Sequence, residues 1–144
     1  MQVSLVVGRI GVGLAMWNLD DASRYFKVVS VTVPHAETWG GSDGEKRERI
    51  RSAALDKWPS SMPAARWWAF RLYTRKGGTN WDIENIPKLV VDAFSAKQLT
   101  EDRSSHHQLG LYRCDTIEYV RMVQVAGESH QGGDSTVIEI FGAR

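Results

Sequence analysis

A single cysteine, Cys114, among 144 residues leaves no material for an intramolecular disulfide framework or a thiolate zinc site. It points to a reducing compartment. Long hydrophobic runs are missing as well. The most apolar stretch, "VSLVVGRIGVGLAMW" from Val3 to Trp17, is too short and too rich in glycine to span a bilayer. It has neither the charged start nor the small-residue cleavage site of a signal peptide, so it is expected to be a strand pair or an accessory segment. Its "GRIGVG" lacks the lysine–serine ending of a phosphate-binding loop. Nor does one sign of charge dominate, the formal net charge being +1. Without repeats or low-complexity tracts, the chain is expected to form one domain over 1–144, with 1–20 as an N-terminal extension and Met16 an alternative start.

What is present is ordinary globular material, 42% hydrophobic and 24% charged, arranged in clear periods. "RYFKVVSVTVP" alternates and is β-branched, which predicts a strand over 24–34 ended by Pro34. After the loop "HAETWGGSDG", Ser42 and Glu45 have the spacing of a capping box. The helix that they open carries Ile50, Ala54 and Trp58 on one stripe and stops before Pro59. "RWWAFRLYTRKGG" alternates again, with Trp68, Phe70 and Leu72 on one face and Arg71, Tyr73 and Arg75 on the other, until Gly77 and Gly78 end it.

The next helix starts at about Asn85, a suitable N-cap, with Pro87 tolerated in its first turn. Ile86, Leu89, Val90 and Ala93 recur at helical spacing. The polar tract 95–110 predicts a mobile loop with one further helical turn. "CDTIEYVRMVQVAG" reads as a long strand, "HQGGD" as a turn and "STVIEIFG" as a last strand. The order β-α-β-α-β-β predicts an α+β fold, helices packed on a mixed, mostly antiparallel sheet.

Charge is unevenly spread. Between Asp43 and Lys76, the cations Lys46, Arg47, Arg49, Arg51, Lys57, Arg66, Arg71, Arg75 and Lys76 outnumber the acids Asp43, Glu45, Glu48 and Asp56. Such a segment suits either a phosphate-bearing partner or a solvated helix face. Trp67, Tyr73 and Trp81 stand among these cations, where they suit unstacked bases, a dimer interface or plain sheet packing. His106 and His107, adjacent in a polar loop, are expected to be exposed and to point apart. Cys114 has no evident base beside it and reads as a half-buried thiol.

The most informative stretch is "TNWDIENIPKLVVDAF", residues 79–94. Asp82 and Glu84 lie two residues apart just outside a helix mouth, where the helix dipole favours negative charge. A cation between two carboxylates relieves their repulsion, and Mg²⁺ prefers such hard oxygen ligands, completed by water and phosphate. Asp115, at the start of a later strand, is a third acid that the fold is able to bring to the same place. Lys88, in the first helical turn, is positioned to meet a phosphate oxygen. The alternative is a solvated capping motif, which is common before helices.

"DIENIPKLVVDAF" resembles the signature of the RusA-type Holliday junction resolvases, D-x-D-N-x-x-K-x-x-x-D-A-[LF]. Asp82, Asn85, Lys88, Asp92 and Ala93 match in register, and Phe94 fills the apolar position. "CDTIEYV" stands where the family has an acidic pair, with Asp115 at the second acid. The resemblance covers about residues 24–141. It implies a small Mg²⁺-dependent endonuclease, with Mn²⁺ as a substitute, that works as a homodimer and nicks four-way DNA junctions symmetrically in recombination and repair. Family members are often encoded by prophages.

Carried onto this chain, the catalytic residues would be Asp82, Glu84, Lys88 and Asp115, with the three acids holding the metal. The DNA phosphates would meet the basic helix and strand at Lys46, Arg47, Arg71, Arg75 and Lys76. A cytoplasmic, nucleoid-associated location follows, with no membrane partner. The chain departs from the pattern in four places: Glu84 replaces an aspartate, Cys114 replaces the first acid of the later pair, the loop before Asp115 is longer, and the N-terminal extension has no counterpart. These departures leave open a second reading, a junction-binding protein of the same fold with impaired cleavage.

Overall fold

A computed structural model describes residues 15–144, so the expectation for Val3–Trp17 lies mostly outside the described residues. Strand β1 (Tyr25–Val33) is followed by α1 (Asp43–Leu55), β2 (Trp68–Lys76), α2 (Asn85–Ala93) and α3 (Ala96–Glu101). A 3-10 turn at His107–Leu109 precedes β3 (Val120–Ser129) and β4 (Ser135–Ala143). The expected α+β class and mixed sheet are observed, and α3 stands where one further helical turn was expected. No helix among the described residues is long and apolar enough to cross a membrane.

The sheet order is β1-β4-β2-β3. β4 is antiparallel to β1 and β2, while β2 and β3 are parallel. Three strands therefore run one way and β4 opposes them. A parallel pair needs a long crossover, and α2, α3 and the segment before β3 supply it. The turn from β3 to β4 steps across the end of β2: His130 N donates to the Lys76 carbonyl at 2.9 Å, and Gly77 N donates to Asp134 Oδ1 at 3.1 Å. Gly78, at φ +80, lets the chain leave β2 beneath this turn.

One face of the sheet makes the main core. Val29, Val31 and Val33 of β1, Phe70 and Leu72 of β2, and Ile138 and Ile140 of β4 pack under Ile50 and Ala54 of α1 and Ile86, Leu89 and Ala93 of α2. The predicted alternations thus select the right residues, and each fully buried Leu, Ile or Phe is worth about 1.5–3 kcal/mol. Trp58 lies just beyond α1 and stacks on Phe94 with ring centroids 5.3 Å apart. On the opposite face, Leu19, Tyr25, Trp67, Ala69, Met122, Phe141 and Ala143 form a second, smaller cluster. Arg71 pairs with Asp20 there, and Gln124 Nε2 donates to the Trp17 carbonyl at 2.6 Å. The first half of β2 is consequently buried on both faces, where a basic, exposed second face was expected.

Three local expectations are corrected. Ser42 makes no cap: its φ is +56 and its side chain accepts nothing from the helix. Gly40 and Gly41, both at positive φ, turn the chain so that Asp43 Oδ1 instead accepts from Gly40 N at 2.9 Å. The tract 95–110 is structured. Ser95 caps α3 by accepting from Gln98 N at 3.1 Å, and Leu99 and Leu109 are buried. Asp102 grips Arg47 through two hydrogen bonds, of 2.7 and 2.8 Å, which ties α3 to α1. In the same region Glu48 accepts from Ser104 Oγ at 2.9 Å and pairs with His106, so His106 is half-buried and only His107 is exposed. Finally, β3 begins at Val120. Tyr119 N and Val120 N both reach back to the Thr116 carbonyl, which makes a turn of the residues read as strand.

Candidate functional site

The loop from β2 to α2 is set down on the sheet by two contacts. Trp81 and Ile83 cover Gly127 of β3, where an added Cβ would lie 2.9 Å from Trp81 Cη2 and 3.2 Å from the Thr74 carbonyl. Trp81 Nε1 also donates to the Gly78 carbonyl at 3.1 Å. Asn85 N and Ile86 N then turn back onto the carbonyls of Asp82 and Ile83, and the helix follows. Glu84 occupies the cap position without bonding the helix, so the cap predicted at Asn85 falls one residue earlier. Trp39 N donates to the Asn85 carbonyl at 2.8 Å and brings the β1–α1 loop beside this helix mouth. The Asp82 and Glu84 side chains are exposed and have no hydrogen bond or ion pair among the described residues.

Asp115 does meet the motif helix, at a lower point. Lys88 Nζ lies 2.9 Å from Asp115 Oδ2 and 3.1 Å from Asp92 Oδ2, bridging residues from the helix and from the turn before β3. Asp92 is buried and Asp115 is exposed. Burial pushes the Asp92 carboxyl up, and the Asp115 charge adds to this against the opposing pull of Lys88. Asp115 goes the other way, held below the usual carboxylate range by its hydrogen bond from Lys88. Lys88 is raised, first by Asp115 and then by Asp92. Beneath them Tyr112 OH donates to the Val91 carbonyl at 2.6 Å, and burial moves its phenol well above the ordinary value. An open pocket of about 320 Å³ lies beside the triad, lined by Pro87, Lys88, Val91, Asp115, Val120 and Arg121.

The structure therefore brings Lys88 and Asp115 together, with Asp92 as a third partner that the sequence reading matched in register but gave no role. Among the described residues no three Asp, Glu, His or Cys side chains gather closely enough to hold a metal ion. The three-acid set Asp82, Glu84 and Asp115 is accordingly not assembled as a metal centre. Asp82 and Glu84 alone are unpartnered carboxylates two residues apart. Such a pair suits Mg²⁺ of the kind held by one or two carboxylates together with substrate phosphate.

The cations expected to meet DNA are all engaged elsewhere. Arg47 is buried in its pair with Asp102, which removes it from the surface and corrects its place as a phosphate contact. Lys46 Nζ donates to the Thr38 carbonyl at 2.7 Å. Arg71 pairs with Glu139 and Asp20, at 2.7 and 3.0 Å. Arg75 pairs with Glu128 at 2.7 Å, and Lys76 donates to the Ala36 carbonyl at 2.8 Å. Of the three aromatics among them, Trp67 is buried, Trp81 is half-buried and Tyr73 is exposed.

No family model and no curated protein matches this chain. Among solved structures, one match is a chain of the "HypE-HypF complex" crystal structure, at 12% identity and a TM-score of 0.28. The match covers 94% of this chain and 42% of that one, and a likeness of this depth carries no argument about fold or activity.

Proposed function

We propose that this chain is a RusA-like, Mg²⁺-dependent endonuclease that binds branched DNA as a homodimer and nicks it at paired sites. The observation that carries the reading is the meeting of Lys88 with Asp115 across 27 residues of sequence, beside a pocket open to solvent. These are motif positions in the resemblance, and burial of apolar side chains alone gives no reason to bring them together. A four-way junction is roughly two-fold symmetric, so a homodimer supplies the two equivalent sites that paired nicks require.

In this reading a phosphate oxygen displaces Asp115 from Lys88, and the ammonium stabilises charge that develops on the phosphoryl group. Asp92, fixed in the helix wall, keeps Lys88 at the pocket during the exchange. Asp82 and Glu84 would hold Mg²⁺ with the substrate. When bound, the ion would polarise the phosphate and lower the pKa of a coordinated water. Such work on DNA belongs to the cytoplasm and the nucleoid, in recombination and repair.

The test is cleavage of a synthetic four-way junction with Mg²⁺ or Mn²⁺, beside a binding assay in EDTA. Asp82→Asn is expected to abolish nicking and to leave junction binding intact or tighter, because repulsion between carboxylate and phosphate falls. Undiminished cleavage by that variant overturns the assignment. The second reading, a junction-binding protein with impaired cleavage, is favoured by the failure of three acids to gather. Junction binding with no nicking in any of several divalent metals would establish it instead.

A further inference from the structure

Arginines that the expected DNA surface did not include form a pocket of their own. Arg24, Arg66 and Arg121 line a cavity of about 240 Å³ together with Met16, Tyr25 and Trp67, on the sheet face opposite α1 and α2. Among the described residues neither Arg66 nor Arg121 has an Asp or Glu partner, and residues 1–14 contain no acid. Arg24 has only a loose pairing, its Nε 3.6 Å from Asp21, whose carboxylate is already bonded by Ser23 Oγ at 2.7 Å. This is unlike Arg47, Arg71 and Arg75, each of which pairs with an Asp or Glu side chain at 2.7 Å.

Two of the three guanidinium groups are held from behind. Arg66 Nε donates to the main-chain oxygen of Arg144. Arg121 Nε donates to the Ile117 carbonyl at 3.1 Å, and its guanidinium lies 6.0 Å from the centre of the Trp67 ring. Each tether uses the Nε–H and leaves the terminal nitrogens without a partner among the described residues. A guanidinium anchored in this way is pre-organised to offer a fork to a tetrahedral anion, which a freely rotating lysine is not. Trp67 is only 8% exposed and meets Tyr25 edge-on at 5.7 Å, so the aromatic floor is closed to stacking by a base. What the pocket accepts is charge, not a ring.

Arg121 also lines the Lys88–Asp115 pocket. The two cavities therefore share one side chain at the start of β3. From this continuity we infer that the Arg24–Arg66–Arg121 pocket binds a backbone phosphate of the same nucleic-acid strand whose reacting phosphate lies at Lys88. The inference rests on the DNA-directed reading above, and it moves the positioning role from the basic helix and strand to the edge of the sheet.

Binding of a fluorescein-labelled four-way junction, measured by anisotropy in EDTA over a range of salt, tests it apart from any cleavage. Arg66→Gln with Arg121→Gln is expected to weaken binding at least about tenfold, and to reduce the magnitude of the log–log salt slope by about 2, one unit for each arginine that no longer neutralises a phosphate. Arg75→Gln is expected to change neither. Arg66→Lys, which keeps charge but loses the fork, should fall between wild type and the double variant. Thermal melts serve to confirm that each variant is folded. Excess inorganic phosphate should compete with wild type more than with the double variant. An unchanged slope in a folded double variant overturns the inference even if the wild type nicks DNA. Absence of nicking with the predicted slope change leaves the pocket standing and removes the nuclease reading. No junction binding by the wild type removes both.

Discussion

Replacing Asp102 by asparagine tests how α3 is fastened to α1. The carboxylate accepts Arg47 Nε and Nη2 at 2.7 and 2.8 Å. It also lies 3.0 Å from Arg51 Nη2, an ion-pair contact that lacks hydrogen-bond geometry. Arg51 is fully buried, and Arg47 is only 7% exposed. Asparagine keeps the shape and removes the charge, leaving Arg47 with no carboxylate partner among the described residues and the buried Arg51 with only Glu48, at 3.2 Å. Breaking a buried pair in this way costs about 3–5 kcal/mol. Unfolding entropy of about 2.1 cal/mol/K per residue converts that loss to a Tm lower by about 10–16 °C.

The pH dependence supplies an internal control. Burial pushes the Asp102 carboxyl up, but the hydrogen bonds of Arg47 and the nearby charges of Arg47 and Arg51 outweigh it and hold the group below its ordinary range. A depressed acid contributes stability that is fully present above the unfolded pKa of about 3.9 and is lost as pH falls through the folded value. Urea melts at pH 7 should therefore show the full gap between wild type and Asp102→Asn, and melts below about pH 4 a narrowing one. Replacing all three groups with apolar residues of similar volume should cost less than Asp102→Asn alone, because no charge is then stranded. A gap under about 1 kcal/mol at pH 7, or one that widens in acid, would refute the reasoning.

Two further substitutions probe the frame around the site. Gly127→Ala places a methyl group 2.9 Å from Trp81 Cη2, so the loop bearing Asp82 and Glu84 must lift. A loss of about 1–3 kcal/mol and a shifted tryptophan emission spectrum are expected, and identical spectra would count against the packing of Trp81 on β3. Ser95→Ala removes the cap that accepts from Gln98 N. It should cost about 1 kcal/mol in a urea melt, with amide exchange fastest over Ala96–Glu101.

The strands and helices were legible because each buries one face, and burial leaves a period. Val29, Val31 and Val33 alternate, and Ile86, Leu89, Val90 and Ala93 recur at helical spacing, with no need of knowledge about their partners. Residues 95–110 left no such period. Their order comes from Asp102, Ser104 and His106, which find Arg47 and Glu48 some 55 residues away, and polar pairing at that separation has no local signature. The capping box failed for a related reason: the spacing of Ser42 and Glu45 was right, but the positive φ of Gly40 and Gly41 had already rotated the serine away.

The same limit governs the charged surface. A tally along the chain sees Arg47, Arg66, Arg71 and Arg75 as equivalent cations in one basic segment. Folding divides them by what stands opposite. Asp102, Glu139 and Glu128 neutralise three, whereas Arg66 finds only a main-chain oxygen among the described residues. Arg47, Arg71 and Arg75 each spend two or more donors on fixed partners, whereas Arg66 and Arg121, tethered through Nε, keep their terminal nitrogens for a ligand. Arg121 and Arg24 never entered that tally, because one lies in a strand with scattered charge and the other at a strand's start. Lys88 was legible through its place in the first helical turn and in the motif, while its ion pair with Asp92, one helical turn away, is of the local kind that spacing can show. Local partners are readable from a chain and distant ones are not, so the residues free to meet a ligand emerge only when the distant acids have been assigned.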